Sequence, residues 1–264
     1  RRRDGRTPLH VLAEAGNSAH PGEQLGPVLL KPGWDFAARD CAGQTPVHLW
    51  ASNMDWTCSA CGSLLRTVLT NRSLLTLTNA AGDTPLHVAI RADKYFAARA
   101  LMEAGADPAI RNLRGESALR LVASLGAGNV FEQVVMPAGV EPGHGLFNSI
   151  FSRDRNSLDR WLEADPSLCS VTNTGRQTPL LAATQIGWMD VAGELLARGA
   201  PMDILSALRM GRVAEVRRLL RAWPGPIPSE WLFEAVRCGS AEALRDLADA
   251  GGELGSVDND GHSL

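Results

Sequence analysis

Three histidines sit in the same company: Thr-Pro-Leu-His at 7–10, Thr-Pro-Val-His at 45–48 and Thr-Pro-Leu-His at 84–87. A histidine three residues from a hydroxyl could act on it as a general base. Catalysis needs one assembled constellation, however, and these copies repeat the same half-site at separate places. The other chemically suggestive stretch is "CSAC", which holds Cys58 and Cys61. A structural zinc site takes four ligands, commonly two such pairs or a Cys pair with a His pair. Only His20, in a neighbouring loop, could join Cys58 and Cys61, and Cys41 is badly placed beyond an intervening helix. Free thiols and no metal are the expectation, and a redox Cys-x-x-Cys would need a βαβ context that is not written here. His144 and His262 lack a nucleophile and carboxylate in any recognisable pattern. No G-x-S-x-G, phosphate loop, H-E-x-x-H or dinucleotide fingerprint occurs. Glu242 and Asp246 fall at helical i, i+4 spacing and read as a solvated face. The chain is therefore expected to be no enzyme and to carry no cofactor.

Bulk composition narrows the partners. A formal charge of −3 over 264 residues argues against a nucleic-acid or anionic-membrane binder, which needs a basic field. No apolar run reaches the length of a membrane span, so no membrane insertion is expected. The start "RRRDGRTP" has neither Met nor an apolar h-region, and five scattered cysteines make no disulfide framework. A cytoplasmic setting follows as the expectation, in a producing bacterium or in a host cell. Lys31 and Lys94 are the only lysines among 26 basic residues. A GC-rich bacterial genome explains that bias, and so does avoidance of ubiquitin acceptors inside a eukaryotic host.

The elements that hold the three histidines come from a repeat. From Thr84 it reads "TPLHVAIRADKYFAARALMEAGADPAIRNLRGE", and Ser117 opens the next unit. Thr84 is placed to cap a helix, with Pro85 at the first helical position, where a missing N–H costs nothing. His87 stands where a capping-box residue reaches back to the cap. A second helix begins near Tyr95 and ends at Gly105, a good left-handed terminator.

This unit resembles the ankyrin repeat. The resemblance implies an all-α solenoid of about eight helix-turn-helix repeats with hairpin turns, several of them degenerate, and no packed sheet. Repeats begin near 7, 45, 84, 117, 145, 178, 202 and 230, with a broken ninth at 257–264. One array is expected over 1–264, with sub-stacks 1–200 and 201–264 if the short step from 178 to 202 bends it. The start at 202 reads as lacking a cap. Both ends lie inside a repeat, as if cut from a longer protein.

The resemblance also implies a protein partner, met by the hairpin tips and the concave inner-helix face. Carried over position by position, the recognition residues are Arg3, Asp4 and Arg6 with Glu14; Cys41, Ala42 and Gln44 with Ser52 and Asn53; and Asp83 with Arg91. Further along they are Leu113, Arg114 and Glu116 with Ser124, then Arg176 and Gln177 with Gln185. Insertions at 17–24 and 55–63 follow the first two inner helices, and Trp56 in the second is an added candidate. The set mixes both charge signs, so a polar partner surface is expected, centred on repeats one to four with Arg91 and Arg114 inside it. A stripe of Arg212, Arg217, Arg218 and Arg221 is read as outer-helix surface, an acidic partner being the alternative. Three roles remain open. The chain could be a bacterial effector that binds a host protein, an immunity or inhibitor protein for a cognate toxin or enzyme, or the targeting module of an enzyme whose catalytic domain lies outside it.

Overall fold

The structure is a computed structural model, and it describes residues 3–14, 33–53, 71–126, 129–137, 139–140 and 144–255. Among them are 13 α-helices and no strands. In chain order these are α1 (Pro8–Glu14), α2 (Pro46–Asn53), α3 (Pro85–Arg91), α4 (Tyr95–Glu103) and α5 (Ala118–Leu125). Then come α6 (Leu146–Phe151), α7 (Arg155–Ala164), α8 (Pro179–Gln185) and α9 (Met189–Ala197). The last are α10 (Ile204–Arg209), α11 (Val213–Arg221), α12 (Ser229–Arg237) and α13 (Ala241–Asp249). Between α5 and α6 the described residues hold only a 3-10 turn, Val130–Gln133, where an outer helix is expected.

The repeated histidines tie each helix start to the next repeat. In all three copies the threonine hydroxyl lies 2.8 Å from the ring Nδ1. The threonine N–H donates to the same nitrogen at 3.1, 3.2 and 3.3 Å. On the other side, Nε2 meets the carbonyl of Gln44 from His10 (2.9 Å), of Asp83 from His48 (2.9 Å) and of Glu116 from His87 (3.0 Å). A carbonyl can only accept and a backbone N–H can only donate, so Nε2 carries the proton and Nδ1 is bare. The imidazole is therefore neutral, with its tautomer fixed by geometry. All three rings are fully buried, and burial pushes His48 down to about 4 and His87 in the same direction.

The turns before these helices are built alike. The side-chain oxygen Oδ1 of Asp40, Asn79 or Asn112 accepts two backbone N–H groups further round its turn, at 2.9–3.0 Å. Successive hairpin tips then bond edge to edge, Cys41 N–H to Asp4 O at 2.9 Å, Ala80 N–H to Ala42 O at 3.0 Å and Leu113 N–H to Ala81 O at 3.2 Å. This close stacking explains two glycines. A Cβ on Gly43 would stand 2.8 Å from the Ala80 nitrogen, and one on Gly82 2.6 Å from the Leu113 nitrogen. Both also have positive φ, 70° and 76°.

The described chain forms two compact units, residues 1–149 with 155–168, and 150–154 with 169–264. In the first, α1, α2, α3 and α5 pack in succession, with α4 against α3. Their inner faces bury Leu9, Val47, Leu86 and Leu119. In the second, α8, α10 and α12 stack, each paired with its own outer helix α9, α11 or α13. The stack thus runs through the short step from 178 to 202. Contrary to the sequence reading, α10 has a cap: Asp203 Oδ1 accepts from Ser206 N–H, and Oδ2 from its hydroxyl, both at 2.8 Å. The core here is Ile204, Ala207, Leu208, Val216, Leu232, Ala235 and Leu247 around the ring of Trp231.

Buried neutral histidines make stability depend on pH with a definite sign. The unfolded chain protonates His48 as pH falls through 6.5, whereas the folded chain resists until about 4. The unfolded state then binds more protons, so stability falls across that window and is fully retained above it. The loss attributable to His48 is expected to reach about 3 kcal/mol. Urea unfolding of the wild type and of His48→Gln across this range checks it. The variant, weaker at neutral pH, is expected to show the shallower pH dependence, and parallel curves would contradict the assignment.

Candidate partner-binding face

The residue before each cap threonine and the residue eight further on, at the end of the inner helix, come together in space. Arg6 Nη1 donates to Glu14 Oε2 at 2.7 Å, and Arg91 Nη1 lies 3.4 Å from Asp83 Oδ2. In the second unit Gln177 Nε2 donates to Gln185 Oε1 at 3.1 Å. Gln44 with Ser52 and Glu116 with Ser124 hold the same two positions in their repeats. The geometry follows from the turn: the first member precedes the cap and the second ends a helix two turns long, whose exposed edge runs back toward the hairpin.

Most polar members of this strip are engaged within the molecule. Arg6 also faces Asp4 and Asp40, each at 3.6 Å from Nε. Arg91 bridges two repeats, meeting Glu116 as well as Asp83. Asp83 is buried and accepts from Asn112 Nδ2 at 2.7 Å. Ser52 and Ser124 turn their hydroxyls onto the Leu49 and Leu121 carbonyls of their own helices. Arg91, expected as a contact residue, is thus also a structural link. Asn53 ends α2, half-buried. Arg114 is exposed, and its guanidinium makes no ion pair among the described residues. Trp56, both insertions, His20, Cys58 and Cys61 lie outside the described residues.

Arg176 occupies the turn position that Gly43, Gly82 and Gly115 hold elsewhere, with φ 58°. A side chain fits because the following repeat passes from α9 to α10 without a hairpin to stack on it. The left-handed backbone still costs a non-glycine residue roughly 1–2 kcal/mol.

Two polar nodes were invisible to pattern reading. Asp165, fully buried, accepts from Arg111, the Ser117 hydroxyl and both the N–H (3.1 Å) and hydroxyl (2.8 Å) of Ser167. Arg120, standing where other repeats have histidine, donates to the Ser167 carbonyl at 2.6 Å. In the second unit Glu234 receives Arg209 at 2.9 and 3.4 Å and Arg237 at 3.1 Å. Arg111 and Ser117 stand 54 and 48 residues from Asp165, and Arg209 25 from Glu234, so spacing alone gives no signal for these pairs, save that Arg120 fills the histidine slot. Two of the four arginines in the stripe are paired: Arg217 with Glu242 and Asp246, and Arg218 with Glu215 at 2.7 Å. Glu242 and Asp246 are therefore both partners of Arg217. No group of three or more His, Cys, Asp or Glu side chains placed to hold a metal occurs among the described residues.

Two outcomes follow. Arg91→Ala is expected to lower stability by about 1 kcal/mol, since buried Asp83 loses a partly exposed counter-ion and keeps its bond from Asn112. Denaturant unfolding reads this directly, and an unchanged midpoint would contradict the link. Gly82→Ala is expected to destabilise by more than about 2 kcal/mol through strain and backbone collision, while Arg176→Gly stabilises by up to about 1 kcal/mol. Equal effects at the two turns would mean that hairpin stacking does not set the glycine requirement.

Among curated proteins none matches the chain. A family model does match part of it: residues 81–113 fit the ankyrin repeat. That span begins in the hairpin before Thr84, takes in α3 and α4, and ends at the next tip. No helix among the described residues is long and apolar enough to cross a membrane. With hairpin turns and inner helices recurring on either side of it and helix pairs following it, the segment 81–113 matches the ankyrin repeat within an all-α repeat fold.

Proposed function

We propose that this chain is a non-catalytic protein-recognition module, its partner surface formed by hairpin tips and the inner-helix edge of the first four repeats. The observation that carries this reading is continuity: the strip from Arg6 to Glu116 is unbroken, and its tips are bonded edge to edge. A surface already ordered before contact loses little entropy on binding, which favours affinity. Exposed Arg114 is the strip's freest charged side chain, and arginine is enriched among binding hot spots.

The scarcity of lysine supports a working place inside a host cell, where lysines are ubiquitin acceptors, and so the effector role over the inhibitor role. Cross-linking of the purified protein in lysate of its own source and of a eukaryotic cell, with the linked peptides identified by mass spectrometry, tests both levels. Cross-links are expected at the tips and inner helices of repeats one to four. Arg114→Glu is expected to weaken capture of the same protein at least tenfold, about 1.4 kcal/mol, at an unchanged thermal midpoint. A footprint confined to residues beyond 200 or to outer helices would contradict the surface, and a partner found only in the source lysate would contradict the effector role.

A further inference from the structure

The hairpin tips differ in character from the strip beside them. Their order along the edge is fixed by the backbone bonds, from Asp4 to Cys41, Ala42 to Ala80 and Ala81 to Leu113. Cys41, Ala42, Ala80 and Leu113 are exposed, and Leu113 shows 80 % of its surface. A single exposed leucine is ordinary on a protein surface. Here it stands at one end of a row of small apolar residues on a rigid edge. Two guanidiniums flank the row, Arg3 beside Asp4 at the near end and Arg114 beside Leu113 at the far end. Neither forms an ion pair among the described residues, although Arg6, Arg91 and Arg111 all do.

Magnitudes decide which residues can contribute affinity. A partner that recruits Arg6, Arg91 or Gln177 must first replace an existing internal bond, and such exchanges return little net free energy. Burying Leu113 and the alanine floor displaces water from surface that has nothing to lose, and pairing Arg3 and Arg114 adds charge contacts without breaking any. Resting on the recognition role proposed above, we infer that the hairpin tips receive an extended acidic segment of the partner. An apolar side chain of that segment covers Leu113 and the Ala42–Ala80 floor, and its carboxylates meet Arg114 and Arg3. This adds an apolar anchor to the polar partner surface expected from the sequence.

Selection of phage-displayed random peptides on the immobilised protein tests this. Peptides that pair Asp or Glu with Leu, Ile, Phe or Met are expected to enrich. The strongest, made synthetically, is expected to lose at least tenfold in affinity with Leu113→Asp, and a comparable amount with Arg3→Glu combined with Arg114→Glu. All these side chains are exposed, so the thermal midpoint is expected to stay put, and its measurement separates lost binding from lost folding. Salt is expected to weaken the peptide as well, because exposed charges are screened. Enriched peptides that are basic or insensitive to Leu113→Asp, but sensitive to Asn53→Trp on the inner helix, overturn the acidic-segment inference and leave the recognition face intact. Failure of any peptide to enrich, or binding insensitive to all three variants, overturns the inference. Cross-links absent from this face as well would take the recognition role with it.

Discussion

The first three repeats depend on a buried imidazole held neutral by the bonds on its two nitrogens. Threonine supplies a hydroxyl and an N–H to one nitrogen, and the next repeat's carbonyl accepts from the other. The same side chain therefore starts a helix of barely two turns and fastens it to its neighbour. Helices this short have little stability of their own. Their persistence comes from the clamp, the turn carboxylate or amide beneath it, and the leucine buried behind it. The placement of the strip residues in the first three repeats follows, because there the strip is the edge between a clamped helix start and its own hairpin.

Where the clamp is missing, other chemistry takes over. Ser117 has no histidine three residues on; Arg120 stands there and reaches the Ser167 carbonyl, while Asp165 gathers Arg111 and the Ser117 hydroxyl. The second unit has no such histidine. It joins α10 to α12 through Arg209 and Glu234, and α11 to α13 through Arg217 with Glu242 and Asp246. Charge pairs of this kind are less demanding of geometry than a two-sided imidazole, which suits repeats whose opening motif has drifted. The cost is that arginines which look available for a partner are already engaged.

Much of this was legible in the sequence. The caps at Thr84, Ser117 and Thr178, the proline after each threonine and the glycine after α4 are local chemistry, decided within a few residues. The alignment of Arg6 with Glu14 or Gln177 with Gln185 was implied by the resemblance, though not that these residues satisfy each other. Asp203 as a cap was missed because the hairpin before it is absent, although Asp-x-x-Ser is itself a cap pattern. The roles of Asp165 and Glu234 were out of reach, since only the fold brings Arg111, Ser117 and Arg209 to them. Leu113 was placed at a recognition turn by the resemblance; what the stacking order adds is that it ends an exposed row with Ala42 and Ala80.

The central claim is that the clamp histidine is neutral, with its proton on Nε2, and that this state joins one repeat to the next. Ring nitrogen NMR of 15N-labelled protein at about pH 5 reads it directly, below the ordinary value of 6.5 and above the value of about 4 at His48. The account predicts a His48 ring with a protonated Nε2 and a bare, pyridine-like Nδ1 at that pH. A doubly protonated ring, or the proton on Nδ1, would contradict it.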